Sequence, residues 1–119
     1  MKIAVSSKGV DLRSEVDPRF GRASCFIIFD TENESFKIVN NDENSASPQG
    51  AGIKTVEMIA KMNIDIVIAG NFGPQAFRAL DSAGIKSAQW ADGTVAEAIE
   101  LARDNKLTLC EKPSVKGHW

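Results

Sequence analysis

The strongest constraint on the fold is a short apolar run that is followed by two glycines and a proline. Residues 65–69 read Asp-Ile-Val-Ile-Ala, which is typical of a buried strand, and residues 70–74 read Gly-Asn-Phe-Gly-Pro. Proline suits the first turn of a helix because its missing N–H would have no partner there. The run therefore predicts a strand that passes directly into a helix, as in α/β domains.

Apolar spacing elsewhere extends this alternation. Strands are predicted at 2–6, 24–30, 35–39, 65–69 and 85–90, and helices at about 49–62, 74–83 and 94–105. Residues 40–48 are predicted as a loop, and 107–110 as a short strand or a docked tail. The order predicts one mixed sheet with helices on both faces. The side chains expected to face the core from the first two helices are Ile53, Val56, Ile59, Ala60, Ala76, Phe77, Leu80 and Ala83.

Length and composition narrow the class of protein. The 119 residues fit one domain, which we expect over 1–110, with a C-terminal tail over 111–119. The net charge of −2 argues against a nucleic-acid binder. Cys25 and Cys110 form no Cys-x-x-Cys pair, so we expect free thiols and a reducing compartment, the cytoplasm. The apolar start is too short for a signal peptide, and no run reaches the roughly 20 residues that span a bilayer.

Three loops are expected to meet at one edge of the sheet. In open α/β sheets, ligands bind beyond the carboxyl ends of the strands, where the strand order reverses. We place that point between the first strand and the 65–69 strand, beside loops 6–9, 17–22 and 70–74. Gly70 and Gly73 permit close backbone approach, and the helix that follows offers unpaired N–H groups that favour an anion. An ordinary tight turn would explain the same residues.

Other candidate residues also have structural interpretations. Asp17 and Arg22 could pair and simply brace their loop, and Phe20 is interpreted as a side chain that fills the core. Cys25 is interpreted as an inert buried thiol, and Cys110 as a more exposed one. The single histidine, His118, lies on the tail, and no spacing resembles a zinc site.

Several segments together resemble the dinitrogenase iron–molybdenum cofactor biosynthesis family. They are Asp-Pro-Arg-Phe-Gly-Arg-Ala at 17–23, Gly-Ala-Gly-Ile at 50–53, Ala-Gly-Asn-Phe-Gly-Pro-Gln-Ala-Phe at 69–77 and Ala-Gly-Ile-Lys at 83–86, and Gly-Thr-Val at 93–95 also fits. The similarity extends from Met1 to about Leu107. One departure is Gln49, where some relatives carry a histidine.

The resemblance implies a ribonuclease-H-like three-layer α/β fold with a five-stranded mixed sheet. It also implies a carrier rather than an enzyme, because the members of the family include carriers of the iron–molybdenum cofactor or its precursors. The similar orange protein holds a molybdenum–copper sulfide cluster without covalent attachment. We therefore expect no catalytic and no metal-ligating residue, and a cluster held mainly by non-covalent contacts. The expected cofactor-binding residues are Ser7, Lys8, Arg19, Phe20, Gly21, Arg22, Gly70, Asn71, Phe72, Gly73 and Gln75.

Two alternative functions remain open at this point. One is a metal-free regulatory or protein-interaction module, which the charged and apolar tail ending at Trp119 favours. The other is a small hydrolase of ribonuclease-H-like fold, ranked last because residues 1–6 lack the carboxylates that two-metal nucleases need. We also expect a cofactor-assembly or acceptor protein as a partner, no nucleic acid or membrane, and a monomer or weak dimer.

Overall fold

A computed structural model describes residues 1–113 of the chain. Five of its elements are strands, β1 to β5, and four are helices, α1 to α4. In chain order they are β1 (Lys2–Ser7), β2 (Cys25–Asp30), β3 (Ser35–Asn40), α1 (Asp42–Ser45), α2 (Ala51–Ala60), β4 (Ile66–Ala69), α3 (Pro74–Ser82), β5 (Lys86–Gln89) and α4 (Val95–Arg103).

The five strands form one mixed sheet in the order β3-β2-β1-β4-β5. β2 is antiparallel to both β1 and β3, whereas β4 is parallel to both β1 and β5. On one side of β1, the strands β2 and β3 follow as an antiparallel meander. On the other side, β4 and β5 are reached through helical crossovers. The predicted mixed sheet and the reversal of strand order between β1 and β4 are confirmed.

Helices cover both faces of the sheet, which confirms the three-layer architecture. On one face, Val56 and Ile59 of α2 and Leu80 of α3 pack with Phe26 of β2. On the other face, the buried residues of α4 pack against alternate residues of the sheet, and these α4 residues are Val95, Ala98, Ile99 and Ala102. Strand alternation therefore divides the apolar side chains between two cores.

Helix α1 lies in the segment predicted as a loop, and a buried amide explains its presence. Asn41 is 1% exposed; its side-chain N–H donates to the carbonyl of Ala23 at 2.9 Å, and its Oδ1 accepts from the hydroxyl of Thr55 at 3.2 Å. Its carbonyl accepts from the N–H of Ser45 at 2.8 Å, which closes the first turn. Tertiary hydrogen bonds thus hold a turn that has no apolar pattern of its own.

Three side chains predicted to face the core are exposed instead: Ile53, Ala60 and Ala83. The buried position on α2 belongs to Thr55, whose hydroxyl donates to the carbonyl of Ala51 at 2.8 Å. This hydrogen bond satisfies the hydroxyl, so that threonine can occupy the core.

The segment after α4 docks on the open edge of β5. Leu109 forms an isolated antiparallel bridge with Ala88, and the N–H of Cys110 donates to the carbonyl of Ser87 at 2.8 Å. The predicted alternative of a docked tail is confirmed for these residues, whereas His118 and Trp119 lie outside the described part of the chain. Within residues 1–113, none of the helices has the length and apolar character needed to cross a membrane.

Candidate functional site

Two loops, residues 17–22 and 70–74, meet beyond the carboxyl ends of β1 and β4. The hydroxyl of Ser6 donates to the carbonyl of Asp17 at 2.6 Å and lies 3.3 Å from the carbonyl of Ile68. The N–H of Asp17 donates back to the carbonyl of Ser6. The N–H of Phe20 donates to the carbonyl of Asn71 at 3.3 Å. These hydrogen bonds join the ends of both strands to residues 17–22 and 70–74, as the sequence predicts.

Glycines allow the loops and helices to approach unusually closely. A β-carbon on Gly21 would lie 2.8 Å from the backbone of Gly52, and one on Gly70 would lie 2.6 Å from the α-carbon of Pro18. A β-carbon on Gly52 would lie 3.1 Å from the side chain of Ala76. Residues 17–22 therefore stack on the start of α2, and α2 stacks on the start of α3.

This stacking leaves a cavity of about 180 Å³ between the loops and the two helix starts. The lining comes from residues 20–22, from both helix starts and from Asn71 and Arg78. In full, the lining residues are Phe20, Gly21, Arg22, Gly50, Ala51, Gly52, Asn71, Gly73, Pro74, Gln75, Ala76 and Arg78.

The amino termini of α2 and α3 both line this cavity, and no side chain of either helix caps its terminus or neutralises its partial positive charge. The residues that cap α2 and α3 are Gly50 and Gly73, and neither helix has an acidic residue in its first turn. In contrast, Thr94 and Glu97 cap α4 through reciprocal hydrogen bonds between side chain and backbone. Because the first N–H groups of a helix lack partners within it and carry partial positive charge, the cavity favours an anion.

Arg22 joins the cavity wall to the carboxyl end of α1. Its Nη1 donates to the carbonyls of Ser45 at 2.8 Å and Ser47 at 2.7 Å. Asp17 instead accepts from the backbone N–H of Arg19 at 2.9 Å and lies 3.8 Å from the Nε of that arginine. The predicted Asp17–Arg22 pair is therefore wrong, because each residue is satisfied by a nearer partner.

The sequence profile of the dinitrogenase iron-molybdenum cofactor family matches residues 1–105. The chain belongs to this family. It is 31% identical over 113 residues to an uncharacterized protein of Methanocaldococcus jannaschii, with 93% of this chain and 92% of that protein covered.

Two solved structures extend the family comparison to the fold. The apo form of the orange protein from Desulfovibrio gigas has a TM-score of 0.93 and 35% identity, with 96% of each chain covered. A Thermotoga protein described as NifB-like has a TM-score of 0.80 and 38% identity, with 91% of each chain covered. The architecture of this chain is thus that of its family relatives.

The cavity collects six of the eleven residues that the family resemblance suggested: Phe20, Gly21, Arg22, Asn71, Gly73 and Gln75. It also includes residues absent from that set, of which Arg78 is the one additional cation in the lining. Arg78 comes four residues after Pro74, one turn along the same face of α3, so helical spacing could have identified it. The Gly-Ala-Gly segment at 50–52, a family motif, also lines the cavity.

The other five suggested residues do not line the cavity and make structural contacts instead. Ser7 is buried and donates to the carbonyl of Gly9 at 2.7 Å, and Lys8 lies 3.5 Å from Glu15. Phe72 is fully buried, with its ring 5.3 Å from that of Phe20. Arg19 and Gly70 hold the loop, through Asp17 and Pro18 respectively.

The two thiols are also outside the cavity lining. Burial raises the pKa of Cys25, whose Sγ lies 3.2 Å from the carbonyl of Gly9, and burial likewise raises the pKa of Cys110. Both therefore favour the neutral form, which is a poor metal ligand. Within residues 1–113, no three His, Cys, Asp or Glu side chains form a group suited to a metal ion.

Proposed function

We propose that the chain is a non-catalytic carrier of an anionic molybdenum-containing metal–sulfur cluster, which it takes as cargo into the cavity. The observation that carries this proposal is the convergence of two helix amino termini, neither capped by a side chain, on a cavity that two arginines line. Family membership supports the class of cargo, and the orange protein is a close structural relative.

The cargo would be held by backbone N–H groups and guanidinium groups. The first turns of α2 and α3 supply N–H donors, although Pro74 supplies none. Of the five N–H donors of Arg22, the two on Nη1 hold the carbonyls of Ser45 and Ser47, which leaves three that can serve an anion. Arg78 adds a second cation at the edge of the cavity. Charge-assisted hydrogen bonds of this kind need no covalent attachment.

Residues 1–110 would form the carrier domain, with 111–119 as an appended tail. The boundary is supported by Leu109 and Cys110, which contact β5, and by the bend at residues 111–112 that follows them. The protein would act in the cytoplasm, and a cofactor-assembly or acceptor protein would exchange the cluster with it.

A titration with tetrathiomolybdate, with and without Cu(I), tests the proposal. Absorption spectra and calorimetry should show saturable binding near one cluster per chain, whereas Zn²⁺ should give no tight binding. A variant without thiols, Cys25→Ala/Cys110→Ser, should bind as the native protein does. Tight stoichiometric zinc binding together with no response to thiomolybdate would contradict the proposal.

A further inference from the structure

Strand β3 forms one edge of the sheet and is exposed along most of its length. Five of its six residues are exposed, and the sixth, Val39, is partly buried. Within the described part of the chain, β2 is the strand that pairs with it, so its other side faces solvent. Natural proteins usually shorten, charge or cover such an edge because it can pair with another strand.

The register shows which backbone groups of β3 point outward. The N–H of Asn41 donates to the carbonyl of Ser24, next to the aligned pair of Cys25 and Asn40. Since hydrogen-bonded and non-hydrogen-bonded pairs alternate along antiparallel strands, Ser35, Lys37 and Val39 bond to β2. The N–H and carbonyl groups of residues 36, 38 and 40 therefore point away from the sheet.

The same residues carry the exposed apolar side chains of the edge. Phe36 and Ile38 are 42% and 43% exposed and lie opposite Phe29 and Ile27, on the face that α4 covers farther along the sheet. Helix α4 packs mainly over β1. Its Arg103 reaches the turn before β3, where it pairs with Glu34 at 3.3 Å and lies 5.7 Å from the centre of the Phe29 ring, while Phe36 and Ile38 stay exposed. Every second residue of the strand thus has outward hydrogen-bonding groups, and two of these residues also have exposed apolar side chains, which is the pattern that strand addition uses.

Charge around the edge selects the kind of partner. Residues 30–43 contain five acidic residues and one basic residue, Lys37, in a chain whose net charge is −2. The acidic residues lie beyond the two ends of the apolar pair, and they are Asp30, Glu32 and Glu34 on one side and Asp42 and Glu43 on the other. Glu34 already pairs with Arg103 of α4 at 3.3 Å, so the cations of a partner would face Asp30 and Glu32 at one end and Asp42 and Glu43 at the other. A strand that pairs here is therefore favoured if it carries cations at both ends.

The charges also disfavour a second copy of this chain at the same edge. Two-fold antiparallel pairing brings residues of the same face opposite each other, so the axis passes through a residue of β3. An axis at Lys37 places the two Lys37 side chains opposite each other. An axis at Ile38 brings Glu34, just before β3, toward Asp42, at the start of α1. Like charges directly opposite one another destabilise a strand pair.

We propose that β3 is a docking edge for an extended segment of a second protein. That segment has apolar residues at alternate positions, which cover Phe36 and Ile38, and lysine or arginine at both ends, which face the acidic flanks. Backbone hydrogen bonds to residues 36, 38 and 40 supply much of the affinity. The inference is independent of the cavity and its cargo.

Amide hydrogen exchange of the ¹⁵N-labelled full chain tests this docking edge. The probe is the synthetic peptide Lys-Arg-Thr-Val-Thr-Val-Thr-Lys-Arg, and the control peptide has glutamate in place of every lysine and arginine. At saturating basic peptide, exchange of amides 36, 38 and 40 should slow by about tenfold or more. The control peptide should have no such effect.

Two variants separate the edge from general apolar binding. Ile38→Pro removes an outward N–H without breaking a bond to β2, which edge strands tolerate, and should abolish the protection. Phe36→Thr/Ile38→Thr should weaken it, whereas Ile53→Thr, at an exposed isoleucine on α2, should not.

Any of three results would overturn the proposal. The first is the absence of protection at millimolar basic peptide. The second is equal protection by the acidic peptide, which would remove the charge argument. The third is protection of the same amides in concentrated protein alone together with dimers in sedimentation equilibrium, which would assign the edge to a second copy.

Discussion

The backbone of Gly21 lies against the backbone of Gly52, so that a β-carbon on Gly21 would come within 2.8 Å of both the α-carbon and the nitrogen of Gly52. This contact brings residues 17–22 onto the first turn of α2. Because a second close contact, from Gly52 to Ala76, adds the start of α3, the shape of the cavity depends on two positions without side chains.

Gly21→Ala should therefore destabilise the fold and distort the cavity. The added methyl meets backbone, which cannot rotate away, and overpacking of this kind costs about 1–3 kcal/mol. Chemical denaturation measures the loss of stability, and thiomolybdate titration measures the loss of binding. Gly52→Ala is the matched comparison and should cost less, since the methyl meets a side chain at 3.1 Å. Equal stability of both variants and the native protein would refute the contact.

Gly73→Asp should weaken anion binding without destabilising the protein. Gly73 has φ −72° and ψ 166°, an extended conformation open to any residue, so a side chain at this position causes no backbone strain. An aspartate there can accept hydrogen bonds from the first turn of α3 and add a favourable charge, worth up to about 1 kcal/mol. It would then occupy the N–H groups that an anion needs.

The control for Gly73→Asp is Gly73→Ala, which adds a side chain without an acceptor. Binding should fall much more with aspartate than with alanine, while the melting temperature should be the same or higher with aspartate. Gly73→Val should also reduce binding by covering the N–H groups, and a change at exposed Lys61 should not. Unchanged thiomolybdate affinity in Gly73→Asp would show that the start of α3 does not bind the cargo.

Arg78→Ala should weaken thiomolybdate binding while the stability stays within about 0.5 kcal/mol, as for an ordinary exposed side chain. Arg19→Ala is a matched removal of a cation in the same region but outside the cavity lining. Calorimetric titration of both variants distinguishes a local contact from general attraction to positive charge. If Arg19→Ala lowers the affinity as much as Arg78→Ala does, the lining of the cavity is not what selects the anion.

Arg22→Ala should reduce both binding and stability. Two backbone carbonyls lose a charged donor, which for a partly buried group costs about 1 kcal/mol, and the cavity loses a cation. Arg22→Lys should keep the charge but lose the geometry, because an ammonium group lacks the planar arrangement of donors. Thermal unfolding and titration on the same samples measure the two effects. A loss of stability with native affinity would make Arg22 purely structural.

Stability should decrease at alkaline pH because of the two thiols. Burial raises the pKa of Cys25 and Cys110 above the ordinary value of 9.0, so the unfolded chain loses these protons first. The contribution is complete below that value and is lost as pH rises through the folded pKa values. Denaturation between pH 7 and 11 should show this decrease, and Cys25→Ala/Cys110→Ser should flatten it. Identical pH profiles would contradict the assignment.

The strand–helix alternation was predictable because it depends on local patterns. Ile66–Ala69 forms the expected buried strand, Pro74 begins α3, and Thr94 caps α4. Helix α1 was not predictable, since Asn41 stabilises it through contacts with Ala23 and Thr55, which are distant in sequence. Exposed Ile53 and buried Thr55 depart from the apolar pattern of α2 for a different reason: the hydroxyl of Thr55 finds a partner within its own helix, the carbonyl of Ala51.

The part of the candidate site that lies on the loops after β1 and β4 was predictable, and the part on α2 was not. The meeting of residues 17–22 with 70–74 follows from strand order, and the N–H of Phe20 donates to the carbonyl of Asn71. Helix α2 also begins at this site because Gly21 packs against Gly52. One sequence shows that both residues are glycines but does not show that they are in contact. Lys8 looked equivalent to Arg22 in sequence, yet it pairs with Glu15 away from the cavity lining.

The direction of β1 has a practical consequence for anyone attaching something to this protein. The strand begins at Lys2 and ends at Ser7, beside the loops of the cavity. Six residues of extended chain span about 20 Å, so Met1 lies at the far end of the sheet from the cavity. A fluorescent reporter or an affinity handle joined ahead of Met1 would leave the cavity mouth unobstructed, and cluster loading could be followed on immobilised protein.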